Sequence, residues 1–217
     1  MKRTRVYSSS IPWRTRRALL LLRHGSAAAE EPRSLTAEGV AEAEDAGDGL
    51  LAYLELKSKW QPKLATGEPV AVKILHSGKD RAAQTAFIVH EKLKSAGCGL
   101  AEPIVTADEL KPNADPAAAV ALLADPVSAP PLTVMVGHLP LLHKLAAALG
   151  VEVNDTCFTP AGGLLLVNTE GSWSLAHVVN NRRNWWMRGV SIYVSSTDGE
   201  PPRRRASWSP SLTQESK

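Results

Sequence analysis

Three short segments, far apart in the chain, carry side chains suited to handling a phosphoryl group: Arg23-His24-Gly25, His76-Ser77-Gly78-Lys79-Asp80-Arg81 and Gly137-His138-Leu139-Pro140. Moving a phosphoryl group onto a side chain needs an in-line nucleophile, cations spread over the equatorial oxygens and a proton for the departing group. His24 can be the nucleophile, because a neutral imidazole attacks well at neutral pH when its other nitrogen keeps the proton and is held by a carbonyl. Arg23 and Arg81 suit the oxygens better than lysines would, since a planar guanidinium presents paired donors that match two phosphate oxygens. His138 can add a donor or a positive charge, and Gly25 lets the backbone turn sharply and come close to the phosphoryl group.

The elements that must position these groups can be read from the flanking pattern. An apolar run stands directly in front of each segment: Ala18-Leu19-Leu20-Leu21-Leu22, Val70-Ala71-Val72-Lys73-Ile74-Leu75 and Leu132-Thr133-Val134-Met135-Val136. Each reads as a buried strand. A single histidine behind a strand is commonly a loop residue with its hydrogen bonds satisfied, and an arginine opening a helix commonly faces solvent. Three such residues at strand-to-helix junctions carry more weight, because open α/β sheets bind ligands beyond the carboxyl ends of their parallel strands. His90 and His143 read as helix-surface or packing residues, His177 as a strand residue, and His76 as a supporting neighbour of the site.

Between the strands, 34–60 reads as a long helix entered through Thr36, with Val40, Ala43, Leu50, Leu51 and Leu54 at helical spacing and Gly47 and Gly49 weakening its middle. A second helix is predicted from Asp80 to Gly97, a short strand at Ile104-Val105, a small helix near 116–123 and an apolar helix over 141–149 closed by Gly150. Strands at 163–167 and 173–179 follow. This alternation predicts an α/β fold: a three-layer sandwich with a mostly parallel central sheet and helices on both faces. The expected organisation is a basic flexible leader (1–16), one domain (17–194) and a disordered Ser/Pro/Arg-rich tail (195–217).

Composition removes several function classes. The 217 residues are 44% hydrophobic and 22% charged with a formal net charge of +3, the profile of an ordinary globular chain, and no apolar run is long enough to cross a bilayer. Much of the positive charge sits at the two ends, so neither a nucleic-acid nor a membrane partner is expected. The two cysteines, Cys98 and Cys157, offer no disulfide framework and no metal-ligand spacing. A reducing, cytoplasmic setting is the expectation, with an organelle-targeting role for the basic leader as the alternative.

The ordered motifs resemble the histidine phosphatase superfamily, also called phosphoglycerate mutase-like, and within it the small SixA-like phosphohistidine phosphatases. The resemblance runs from about Ala18 to Val179. It rests on Arg23-His24-Gly25-Ser26-Ala27, on Arg33-Ser34-Leu35-Thr36 with Gly39, and on His76-Ser77 through Arg81-Ala82-Ala83-Gln84-Thr85. Glu109-Leu110-Lys111-Pro112-Asn113-Ala114-Asp115-Pro116 and Val136-Gly137-His138-Leu139-Pro140 complete it in the family's order. It implies that His24 is phosphorylated in a covalent intermediate, that Arg23, Arg81 and His138 form the phosphate pocket with Gly25 and Ser77 at the substrate, and that neither metal nor cofactor takes part. In mutase-like relatives a carboxylic acid protonates the leaving alkoxide, and Glu109 is the nearest candidate by position. Its surroundings lack the aromatic-glycine context those enzymes carry.

A weak acid matters less for a phosphoramidate, whose imidazole departs far more easily than an alkoxide, and the stretch between Gln84 and Val136 is too short for the capping insertion of larger relatives. The expected activity is therefore dephosphorylation of phosphohistidine in proteins, with a phosphorylated protein as partner and a phosphate or other oxyanion in the pocket. Two alternatives stand beside it: a small-molecule phosphomonoesterase of the same superfamily, and a catalytically idle phosphate-binding adaptor. Outside the motifs, Trp173 reads as core or interface, Trp185-Trp186 as a partner-docking patch, and Arg203-Arg204-Arg205-Ala206-Ser207 as a basophilic kinase site.

Overall fold

The computed structural model describes residues 17–58, 71–100, 104–123, 130–153 and 155–179. The leader, the tail, Trp185-Trp186, the kinase-site motif and the whole loop between the first helix and second strand, 59–70, lie outside the described residues. In chain order the elements are β1 (Arg17–Arg23), α1 (Ala37–Ser58), β2 (Ala71–His76), α2 (Asp80–Ser95), β3 (Gly99–Leu100), β4 (Val105–Thr106), α3 (Pro116–Ala121), β5 (Leu132–Gly137), α4 (Leu141–Ala148), β6 (Gly163–Thr169) and β7 (Ser172–Val179).

An alanine and four consecutive leucines leave β1 without a polar face, so it is stable only inside a sheet covered on both sides. It pairs in parallel with β5 along one edge and antiparallel with β6 along the other. The sheet runs β3-β2-β5-β1-β6-β7, and β4 shares the outer edge of β2 with β3. The strands from β3 to β1 are mutually parallel, while β6 runs against β1 and β7 against β6.

Alternation along β1 divides the interior into two cores. Ala18, Leu20 and Leu22 face one way, packed with Ala46, Leu50 and Leu54 of α1 and Ala82, Ala86, Val89 and Leu93 of α2. Leu19 and Leu21 face the other, with Leu142, Leu145 and Ala146 of α4, Ala119 of α3 and Phe158. The molecule is the expected three-layer sandwich. Both cores contain side chains that are fully withdrawn from water, each leucine contributing about 1.5–3 kcal/mol of transfer free energy.

The local readings differ from the structure mainly at boundaries. The first helix begins at Ala37, because Leu35 bridges Ala27 and Thr36 caps the helix, accepting the Gly39 N–H on its hydroxyl at 3.1 Å. β3 was not legible, being only two residues long, and β4 lies one residue later than expected. His90 packs in the interior at 4% exposure, His143 tilts against Phe158 with ring centroids 5.2 Å apart, and His177 stacks on Tyr53 at 4.5 Å. Trp173 is half-buried at the edge of the α3/α4 core.

Candidate active site

The strand order decides where the three segments meet. β2, β5 and β1 are neighbours, and their register pairs Arg23 with Gly137 and His76 with Val136. His24 and His138 each follow a paired residue on adjacent strands, so their rings are brought to a centroid separation of 4.8 Å, about the spacing of the strands themselves. Ser77, leaving β2, reaches the far side of the same histidine: its hydroxyl lies 2.6 Å from His138 Nε2. Arg81 enters from the first turn of α2.

The hydrogen bonds of His24 assign its tautomer. Nδ1 lies 2.7 Å from the Gly25 carbonyl, which can only accept, and Nε2 receives a bond of 3.2 Å from Arg81 Nε, which can only donate. The proton therefore sits on Nδ1 and the lone pair on Nε2, facing the guanidinium. Burial pushes the His24 pKa down to about 4; the Gly25 carbonyl works in the opposite direction, while Arg81, Arg23 and Arg33 lower it further. His138 is pushed down to about 3, first by burial and then by His24, Arg81, Lys79 and Arg23. Both rings are neutral at physiological pH, and the fixed charges that act on them are cations.

Arg23 donates from Nη1 to the Phe158 carbonyl at 2.9 Å, and its own peptide N–H bonds Gly162. Burial lowers the pKa values of Arg23 and Arg81, with Glu42 countering at Arg23 and Glu31 and Asp80 countering at Arg81. The turn after His24 is packed backbone on backbone. A Cβ on Gly25 would stand 2.5 Å from the Gly39 carbonyl oxygen, and one on Gly39 would collide with the Ser26 carbonyl. These glycines let the start of α1 press against the His24 turn.

Three side chains from α1 and α2 complete that anchorage. Thr85 accepts the Gly25 N–H at 3.1 Å and donates to the Arg81 carbonyl at 2.7 Å; Glu42 accepts the Ser26 N–H at 2.7 Å; Gln84 accepts the Leu35 N–H at 2.7 Å. Glu109 behaves differently. It lies, half-buried, on a single 3-10 turn, Asp108–Leu110, whose Leu110 carbonyl packs near Gly137, and among the described residues it makes no hydrogen bond or ion pair with His24, Arg23, Arg81 or His138. His76 is held at the rim, accepting the Gly78 N–H at Nδ1.

No protein-family model matches the chain, and no curated protein matches it. Solved structures do. The protein histidine phosphatase SixA complexed with tungstate superposes with a TM-score of 0.55 at 19% identity, covering 77% of this chain and 99% of that one. A chain described as a candidate SixA phosphohistidine phosphatase from Nakamurella multipartitia gives 0.53 at 19% identity, with 77% and 97% covered. A phosphoglycerate mutase from Plasmodium falciparum gives 0.50 at 21% identity, with 75% and 90% covered. The chain has the histidine phosphatase fold. Within that fold, Arg33 and Lys79 stand close enough to act electrostatically on His24 and His138 respectively, and neither was singled out among the expected site residues. The signal for Thr85 was its place one helical turn after Arg81. Glu42 carried no signal, being one of several acids on α1.

Proposed function

We propose that the protein is a phosphatase that hydrolyses phosphohistidine in proteins through a covalent phosphohistidine intermediate on His24. The observation that carries this reading is the state of His24: a neutral imidazole, its Nδ1 proton tied to a carbonyl and its Nε2 lone pair 3.2 Å from the Arg81 guanidinium. The Nε2 lone pair forms a bond to phosphorus as the phosphorus–nitrogen bond of the substrate breaks. The electron pair of that bond departs with the substrate imidazole, which takes a proton from solvent. Arg23, Arg81 and His138 surround the transferred oxygens, supplying fixed positive charge and donors where negative charge is carried. Water then attacks the phosphorus of phosphorylated His24 and releases inorganic phosphate and the free imidazole.

Substrate choice follows from the leaving group. Among the described residues Glu109 is not bonded into the cluster, and a phosphoramidate is the substrate that least requires an acid held against its leaving group. The test is hydrolysis of a phosphohistidine protein beside a panel of phosphomonoesters, with wild type and His24→Ala, together with mass spectrometry under alkaline conditions for phosphate on His24. Wild-type turnover of phosphohistidine that is lost in His24→Ala is expected. Comparable turnover by the variant overturns the mechanism, a higher kcat/KM for a phosphomonoester overturns the substrate class, and absence of any label on His24 favours a binding module.

A further inference from the structure

The peptide unit between Gly25 and Ser26 is bonded at both ends to groups of opposite function. Its carbonyl faces His24 Nδ1 at 2.7 Å, and its N–H faces Glu42 Oε2 at the same distance. Glu42 is only 3% exposed, and the Ser26 N–H is a neutral donor, which by itself is poor compensation for withdrawing a carboxylate from water. Arg23 is an opposing charge within its reach: Glu42 holds the Arg23 pKa up against its burial. The carboxylate is thus kept buried at one end of a hydrogen-bonded line that ends on the nucleophile.

We propose that Glu42 is a positioning residue that acts on His24 through this single peptide unit, polarising the Gly25 carbonyl so that it holds the Nδ1 proton more strongly as Nε2 attacks. The inference rests on the reading of His24 as nucleophile. A carboxylate drawing on an amide N–H increases the negative charge on the carbonyl oxygen of the same amide, and hydrogen bonds in such a line strengthen one another. As Nε2 bonds to phosphorus the imidazole becomes electron-poor and Nδ1–H becomes a stronger donor. The line therefore gains more in the transition state than in the resting enzyme, the condition for raising kcat and not merely binding. The logic is that of a carboxylate orienting a histidine directly, with one peptide interposed. Thr85 holds the preceding N–H, of Gly25, so the line cannot relax by rotating away.

Among the described residues, the charged and titratable groups about His24 are Arg23 on β1, Arg33 in the following loop, Glu42 on α1, Arg81 on α2 and the neutral His138 beyond β5, with Glu31 and Asp80 acting on Arg81 and Lys79 acting on His138. Glu42 acts electrostatically on Arg23, so its influence on His24 is expected in the Nδ1–H bond rather than as a large through-space shift. The test is Glu42→Gln, whose amide oxygen can still accept the Ser26 N–H while the charge is gone. The His24 Nδ1 proton, observed by NMR in the free enzyme, is expected to move upfield as its hydrogen bond weakens, with kcat falling about tenfold and KM changing less than about twofold. An unmoved resonance with kcat within about twofold of wild type overturns the proposal. Glu42→Asp, which retains charge but falls short of the Ser26 N–H, provides the same upfield shift if Glu42→Gln does not fold. Should wild type hydrolyse no phosphorylated substrate, the phosphatase reading fails, and the resonance alone decides the role of Glu42.

Discussion

Replacing Thr85 by valine removes a hydroxyl while leaving the shape of the side chain almost unchanged. In the native protein that hydroxyl accepts the Gly25 N–H at 3.1 Å, in a fully buried bond, and donates to the Arg81 carbonyl at 2.7 Å. Arg81 loses only a second donor, since the helical N–H of residue 85 still reaches its carbonyl. Gly25 loses its acceptor inside a turn that is closed on the other side by Gly39, where there is no room for an added carbon. A buried donor left without a partner costs about 1–3 kcal/mol. For a domain of this size the unfolding midpoint should fall by about 2–12 °C, at 2–4 °C per kcal/mol. In urea the same loss should appear as a lower midpoint with an unchanged slope. Because Gly25 also carries the carbonyl that orients His24, displacement of the turn should lower kcat by on the order of tenfold, more than it raises KM. Thr85→Ser keeps the hydroxyl and should restore turnover. Stability within about 0.5 kcal/mol of wild type, with turnover unchanged, would refute the assignment of Thr85 as the tie between the His24 turn and α2.

Two further outcomes follow from the electrostatics. His24 and His138 have folded pKa values of about 4 and about 3, below the ordinary histidine value of 6.5, so the unfolded chain binds more protons and stability should fall as pH drops from about 6.5 toward those values. Unfolding midpoints across that range should show the loss, and His138→Ala should lose less; a wild-type midpoint that is flat down to pH 4 would contradict the burial of neutral rings. Arg81→Lys removes the planar donor that faces His24 Nε2 and should cut kcat by on the order of a hundredfold despite the retained charge. A loss of less than tenfold, measured on the preferred substrate, would mean that the guanidinium geometry is not used.

Much of the architecture was legible because it depends on patterns that act locally. The apolar runs before Arg23 and before Gly137 read as interior strands, and Thr36 followed by helical spacing marks the entry to α1. The candidate site was legible for a related reason: His24, Arg81 and His138 each sit at the junction of a strand and a helix, and such junctions gather at one edge of a parallel sheet. β3 escaped because two residues carry no periodicity. Glu42 escaped because an acid on the polar side of a helix usually faces water, and nothing near it in sequence says that α1 will turn this one inward.

The sequence by itself determined the kinds of groups available and which end of the sheet would hold them, since apolar periodicity and strand-to-helix order are properties of neighbouring residues. Only the tertiary structure decided which of them touch. It inserted β5 between β2 and β1, which sets His138 between Ser77 and His24, and it fixed the tautomer of His24 by placing a carbonyl on one nitrogen and a guanidinium on the other. It left Glu109 outside the bonded cluster and drew Glu42 into it. The physical reason is that hydrogen bonds act over about 3 Å, whereas the residues that make them here come from segments whose approach is set by strand pairing and helix packing across the whole domain.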